Sequence, residues 1–106
     1  MASIVRWSPE AVEDLESIAS YIARDSTFYA AAVVRRILES AGGLKVHPHI
    51  GRMVPEMAKR SLRERVVYGY RLVYLIEADS ILIVAIMHGR QHFDARAVRV
   101  DPSEES

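Results

Sequence analysis

Between Leu62 and Met87 the chain reads LRERVVYGYRLVYLIEADSILIVAIM, three runs of aliphatic, β-branched and aromatic residues broken only around Gly69 and at EADS. Such runs favour strands. Breaks this short suit tight turns and cannot hold the dozen or more residues of a parallel crossover, so three antiparallel strands in a meander are expected. The last run, ILIVAIM, is apolar throughout, which predicts a central strand covered by other elements. In the first run Arg63 and Arg65 share a face, because alternate strand residues point the same way.

Upstream, SIVRW (Ser3 to Trp7) favours another strand, and Ser8 followed by Pro9 gives a helix cap and first helical position. Ala11, Leu15, Ile18 and Ile22 then recur at helical spacing, predicting a helix over about residues 9–24. After RDST, where Thr27 can cap, Ala30, Val34, Ile37, Leu38 and Ala41 predict a second helix over about 28–41, ended by Gly42 and Gly43. So short a connection makes the two an antiparallel hairpin. Pro48, Gly51 and Pro55 mark LKVHPHIGRMVPE as loop. The order is βααβββ, an α+β fold with the helix hairpin packed on one face of a mainly antiparallel sheet. Leu15, Ile18, Ile22, Val34, Ile37, Leu38, Leu72, Tyr74, Ile83 and Ala85 are the expected core, and Trp7, Tyr21, Tyr29, Tyr70 and Tyr74 are expected to pack between helices and sheet.

At 106 residues the chain supports one core and not two. Residues 1–93 carry the predicted elements, and 94–106, ending in the acidic DPSEES, are expected to be a partly disordered extension. With 50% hydrophobic and 26% charged residues, the rest is expected to be globular. The lack of cysteine excludes disulfides and thiol chemistry and agrees with a reducing cytoplasm. No apolar run approaches the roughly 18 residues of a membrane span, and the start has no signal-peptide pattern, so a soluble cytoplasmic chain is expected. Net charge is zero but unevenly distributed: residues 45–71 hold seven basic and two acidic side chains, net +5, between flanks of −2 and −3. A field of that sign attracts phosphate or an acidic protein surface.

The element order, with DLESIASYI in the first helix, HPHIGRMVPE in the loop, YRLVYLI in the penultimate strand and IMHGR closing the last, resembles the RelE/ParE superfamily of bacterial toxins from Trp7 to about Phe93. The resemblance implies the toxic half of a type II toxin–antitoxin pair, a hetero-oligomer silenced by a cognate antitoxin. RelE-like and YoeB-like members cut messenger RNA on the ribosome, whereas ParE-like members, among them plasmid-stabilisation proteins, poison DNA gyrase. A shared fold cannot choose between them.

Cutting RNA needs a proton acceptor for the 2′-hydroxyl, cations for the phosphate and a proton donor for the leaving oxygen. By resemblance to YoeB-like enzymes, Glu56 matches the glutamate of the PE loop, Arg71 matches the strand arginine and Arg65 has a counterpart. His88 falls one position short of the expected histidine and His92 beyond it. No tyrosine follows, only Phe93. RelE-like enzymes use a lysine and arginine cluster, for which the loop offers only Lys45 and Lys59. The nuclease candidates are thus Glu56, Arg65, Arg71, His88, Arg90 and His92. GRMVPE, YRLVYLI and HGR together are similar to the ParE-like branch, in which Gly89 turns the chain off the strand while His88 and Arg90 serve structure or binding. Glu56 then simply pairs with Arg65 or Arg71. In that branch Arg35, Arg36, Arg52, Arg63, Arg65, Arg71 and Arg90 are the candidate contacts to target or antitoxin. A gyrase-directed ParE-like toxin is the expectation; a ribosome-dependent endoribonuclease, metal-independent, and a non-toxic binding module that keeps the fold are the alternatives. No metal or other cofactor is expected. His47 and His49 flank a proline with no carboxylate nearby, and the glycine in HGRQH removes the helical spacing that His88 and His92 would need.

Overall fold

Ser8 ends the first strand and starts the first helix. In the computed structural model, which describes residues 4–93, β1 (Ile4–Trp7) leads to Ser8, whose hydroxyl accepts the Ala11 N–H at 3.0 Å, and Pro9 opens α1 (Pro9–Ala23). The expected 94–106 extension lies outside the described residues. Ser26 rather than Thr27 caps α2 (Thr27–Gly43), accepting the Tyr29 N–H at 3.0 Å. The helix runs through both glycines to Leu44, which is fully buried and closes the stripe Ala30, Val33, Ile37, Ala41. That stripe corrects the expected one. Val33, at 0% exposure, takes the place given to Val34, and Leu38 is 48% exposed, because Val33 and Ile37 centre the buried face and turn Leu38 outward.

Among the described residues the sheet has five strands in the order β1-β5-β4-β3-β2. Arg52–Met53 form a two-residue β2 inside the segment expected to be loop, pairing with β3 (Leu62–Val67). Tyr68 belongs to the turn and not to the strand: it has φ 52° and Gly69 has φ 80°, the left-handed pair that a two-residue hairpin requires. The turn leads into β4 (Tyr70–Ile76), which pairs antiparallel with β5 (Ser80–His88), and β5 is parallel to β1 through Ser80–Ile83. The three-strand meander and the central last strand stand as expected.

One irregularity decides which way β5 faces near its end. Val73 pairs with Ala85 but Tyr74 pairs with Ile83, so Val84 is the extra residue of a β-bulge. Before it, Ile81 and Ile83 face the helices; after it, Ile86 does, while Val84 and Ala85 both join the opposite side. Asp14 of α1 accepts the Ile86 N–H at 3.0 Å. Burial raises the Asp14 carboxyl above the ordinary carboxylate range, and that hydrogen bond partly offsets the rise.

Both sheet faces are packed. Under the helices lie Ala11, Val33, Ile37, Leu72, Tyr74, Ile81 and Ile83, with Leu15, Ile18, Ile22 and Trp7 partly buried around them. On the far face a second core joins Val54, Leu62, Val73, Leu75, Val84, Ala85 and Phe93, so Ala85 belongs there. Tyr74 and partly buried Tyr70 pack as expected, but Tyr21 and Tyr29 are 69% and 50% exposed.

Candidate functional site

Leu62, Glu64 and Val66 of β3 pair with Leu75, Val73 and Arg71 of β4, and these residues face the second core. A carboxylate and a guanidinium placed in that apolar surface must satisfy each other. Glu64, fully buried, lies between two arginines: Arg71 Nε donates to Oε1 at 2.7 Å, and Arg52 Nε donates to Oε2 at 2.7 Å. Arg71 also grips Glu56, Nη1 to Oε2 at 2.8 Å and Nη2 to Oε1 at 2.7 Å. Its Nη1 donates again to the Gln91 carbonyl at 2.8 Å, and Nη2 lies 2.5 Å from Glu64 Oε1. A guanidinium has five N–H groups. All five of Arg71's face acceptors, four carboxylate contacts and one carbonyl.

Glu56 completes a clasp on the segment after β5. Its Oε2 accepts the Phe93 N–H at 2.9 Å, and the Phe93 ring, 2% exposed, is seated in the second core. Hydrogen bonds from Arg71, opposed by burial and helped by the Phe93 N–H, hold the Glu56 carboxyl down at about 2, well below the ordinary 4.5. The same bonds push the Arg71 guanidinium further above its ordinary value. This carboxylate is not tuned to accept a proton near neutrality. Of the alternatives for Glu56, the pairing with Arg71 is the one that forms.

The other candidates are not gathered here. Arg63 and Arg65 pair with Tyr74 and Leu72 and so face the helices, on the opposite side of the sheet from Arg71. Arg63 is pinned: Nε donates to the Arg60 carbonyl at 2.8 Å and Nη1 to that of Gly51 at 3.1 Å. Gly51 itself is buried, and a Cβ there would meet the Glu64 carbonyl at 2.5 Å, so the backbone approach that brings Arg52 to Glu64 needs a glycine. His88, pairing with Tyr70, also faces the helices, with its ring edge-on to that tyrosine at 6.1 Å. The exposed Arg90 donates its backbone N–H to His88 Nδ1 at 3.3 Å. His92 alone approaches Glu56, 3.8 Å away and 80% exposed. The grouping of Arg65, Arg71, Arg90 and a histidine about one phosphate is therefore not assembled.

Glu64 was missed as a site residue, although a carboxylate in phase with Leu62 on an otherwise apolar strand face signals a buried ion pair. Among the described residues no group of histidines and carboxylates could hold a metal ion.

On the helix side, Arg36 and Ser40 of α2 and Arg65, Val66, Val67 and Tyr68 along β3 and its turn line a cleft of about 340 Å³. The Arg65 side chain has no hydrogen bond or ion pair among the described residues. Among the described residues the Arg36 side chain pairs with Glu39 alone, 3.9 Å away with both side chains about 60% exposed, a pairing worth little.

Comparison with known proteins follows the same outline. A family model described as the ParE toxin of the type II toxin–antitoxin system, parDE, matches residues 5–93. The candidate toxin Y4kP of Sinorhizobium fredii is 35% identical over 91 residues, covering 84% of this chain and 91% of that protein. A chain of the chromosomal ParDE TA system from P. aeruginosa shares the fold with a TM-score of 0.67 at 21% identity, over 83% of this chain and 96% of that one. The YoeB dimer from Staphylococcus aureus gives a TM-score of 0.57 at 18% identity, over 84% and 95%.

Proposed function

This chain belongs to the ParE toxin family of type II toxin–antitoxin systems, and from that premise we propose that it acts in the cytoplasm by binding and not by cutting RNA, with DNA gyrase as its target and a cognate antitoxin as its neutraliser. The toxin unit is residues 1–93. The observation that carries the choice is Arg71. Its five N–H groups already face protein acceptors, so it has no donor for a scissile phosphate. Its partner Glu56 is held ionised far below neutrality, and Arg65 and His88 lie across the sheet. Transition-state charge on a phosphate is stabilised by donors aimed at it in advance, which this arrangement does not supply. No helix among the described residues is long and apolar enough to cross a membrane.

The test is to express the chain without its antitoxin and to assay gyrase supercoiling and ribosomal A-site cleavage side by side. Inhibited supercoiling with intact messages is the expected result. Cleaved messages, lost on His88→Ala or His92→Ala, would replace this reading with a ribonuclease; neither effect would leave a binding module without toxicity.

A further inference from the structure

The arginine cleft lies along β3. Across β4 from it, between α1 and the end of β5, Asp14, Ser17, Tyr21, Tyr70, Ile86 and His88 line a second cleft of about 390 Å³. No lysine or arginine among the described residues lines it. The bulge at Val84 shapes this cleft, because it turns Ile86 and His88 towards the helices and lets Asp14 accept the Ile86 N–H at 3.0 Å. That bond engages one carboxylate oxygen, Oδ2. Neither Asp14 nor its helix neighbours Glu10, Glu13 and Glu16 has an ion pair among the described residues. Burial raises the Asp14 carboxyl, the Ile86 N–H opposes the rise and the charge of Glu10 adds to it. Glu56 is the reverse case, held down by a guanidinium. A carboxylate in the Asp14 state gains from a cation placed beside it. The walls suit one as well. Tyr21 is 69% exposed and already carries the Arg24 guanidinium 5.9 Å from its ring centre, and Tyr70 and His88 stand edge-on to each other at 6.1 Å. Aromatic rings attract cations over their faces and shelter the carbon stems of long basic side chains.

We propose that this cleft receives a lysine or arginine side chain of gyrase, with its charge against Asp14 and its stem along the Tyr21 and Tyr70 rings. This rests on the gyrase reading above. The carboxylates of Glu10, Glu13, Asp14 and Glu16 repel DNA, and they repel any acidic protein surface drawn to the +5 segment of the chain. A basic protein side chain is the occupant that both the charge and the rings accept.

The experiment uses the full chain, reconstituted gyrase and the protein encoded beside the toxin. Two variants leave the fold in place: Asp14→Asn keeps an acceptor for the Ile86 N–H, and Tyr21→Ala removes an exposed ring. Each is expected to need at least tenfold more toxin for half-inhibition of supercoiling, while calorimetry with the neighbouring protein stays within twofold of the wild type. Asp14→Asn should also lose part of the salt dependence of inhibition. Wild-type inhibition with both variants within twofold overturns the cleft and leaves the gyrase reading standing. Loss with Tyr21→Ala but not with Asp14→Asn makes the contact apolar and overturns the cation. A parallel loss of affinity for the neighbouring protein overturns the inference, since the cleft is then not reserved for the target. So does stabilisation of the chain alone by spermidine that Asp14→Asn removes while inhibition is unchanged, which points to a free polyamine. No inhibition by the wild type removes the gyrase reading and this inference together.

Discussion

Two arginines of adjoining strands have opposite situations. Arg71 is 4% exposed and engaged on every N–H, and its loss leaves the buried Glu64 facing only Arg52. Arg71→Met is therefore expected to cost about 3–5 kcal/mol in urea unfolding, the range for breaking a buried pair by removing one partner. Arg65→Met removes a side chain with no hydrogen bond or ion pair among the described residues, and should change stability by no more than about 0.5 kcal/mol. Equal effects would sink the distinction. Glu56 gives a pH signature. Its carboxyl titrates near 2 when folded against 4.5 ordinarily, a depressed value, so its contribution is complete above about pH 4.5 and is lost as pH falls towards 2. Acid unfolding of Glu56→Gln should be flatter than that of the wild type across this window. Sequence alone placed Glu56 and Arg71 in one candidate cluster. It could not separate Arg65 from Arg71, because their distinct faces depend on how the hairpin pairs.

Among the elements, α2 and β5 show where a sequence pattern is sufficient and where it is not. Helical spacing admitted both Val33 and Val34, and both Ile37 and Leu38; packing chose the first of each pair. Ile37→Ala is thus expected to lose about 2–5 kcal/mol through the cavity it leaves, while Leu38→Ala should stay within about 0.5 kcal/mol, both read from denaturant midpoints. Helix and strand order was legible because periodicity and turn residues are local. The two-residue β2 was not, since its pairing with Arg63 and Glu64 depends on a distant strand and on the loop pinned by Tyr74, whose hydroxyl donates to the Pro48 carbonyl and accepts from Gly51 N–H. The bulge at Val84 was equally hidden within an unbroken apolar run. Its clasp can be tested: Asp14→Ala leaves the Ile86 N–H without its acceptor and should cost about 1–3 kcal/mol, whereas Asp14→Asn keeps an acceptor without a partly buried charge and should remain close to the wild type. If alanine and asparagine behave alike, the hydrogen bond is not what matters.

At the level of the whole molecule, one sheet separates two cores, and the second is closed by a segment from beyond the last strand. Phe93 is the anchor, its ring buried and its N–H on Glu56. Phe93→Ala should cost about 3–5 kcal/mol and raise amide exchange over residues 89–93, a loss that a freely hanging segment would not show. The bulge has a longer reach than its own strand. Strict alternation from Ile83 would set His88 on the far face with Arg71; the extra residue at Val84 sets it beside Tyr70 instead. One residue of register is one face of the sheet. In evolutionary terms, a single codon inserted between Val84 and His88 would carry the imidazole across to the face that holds Arg71, a change that a comparison of residue identities would score as a gap.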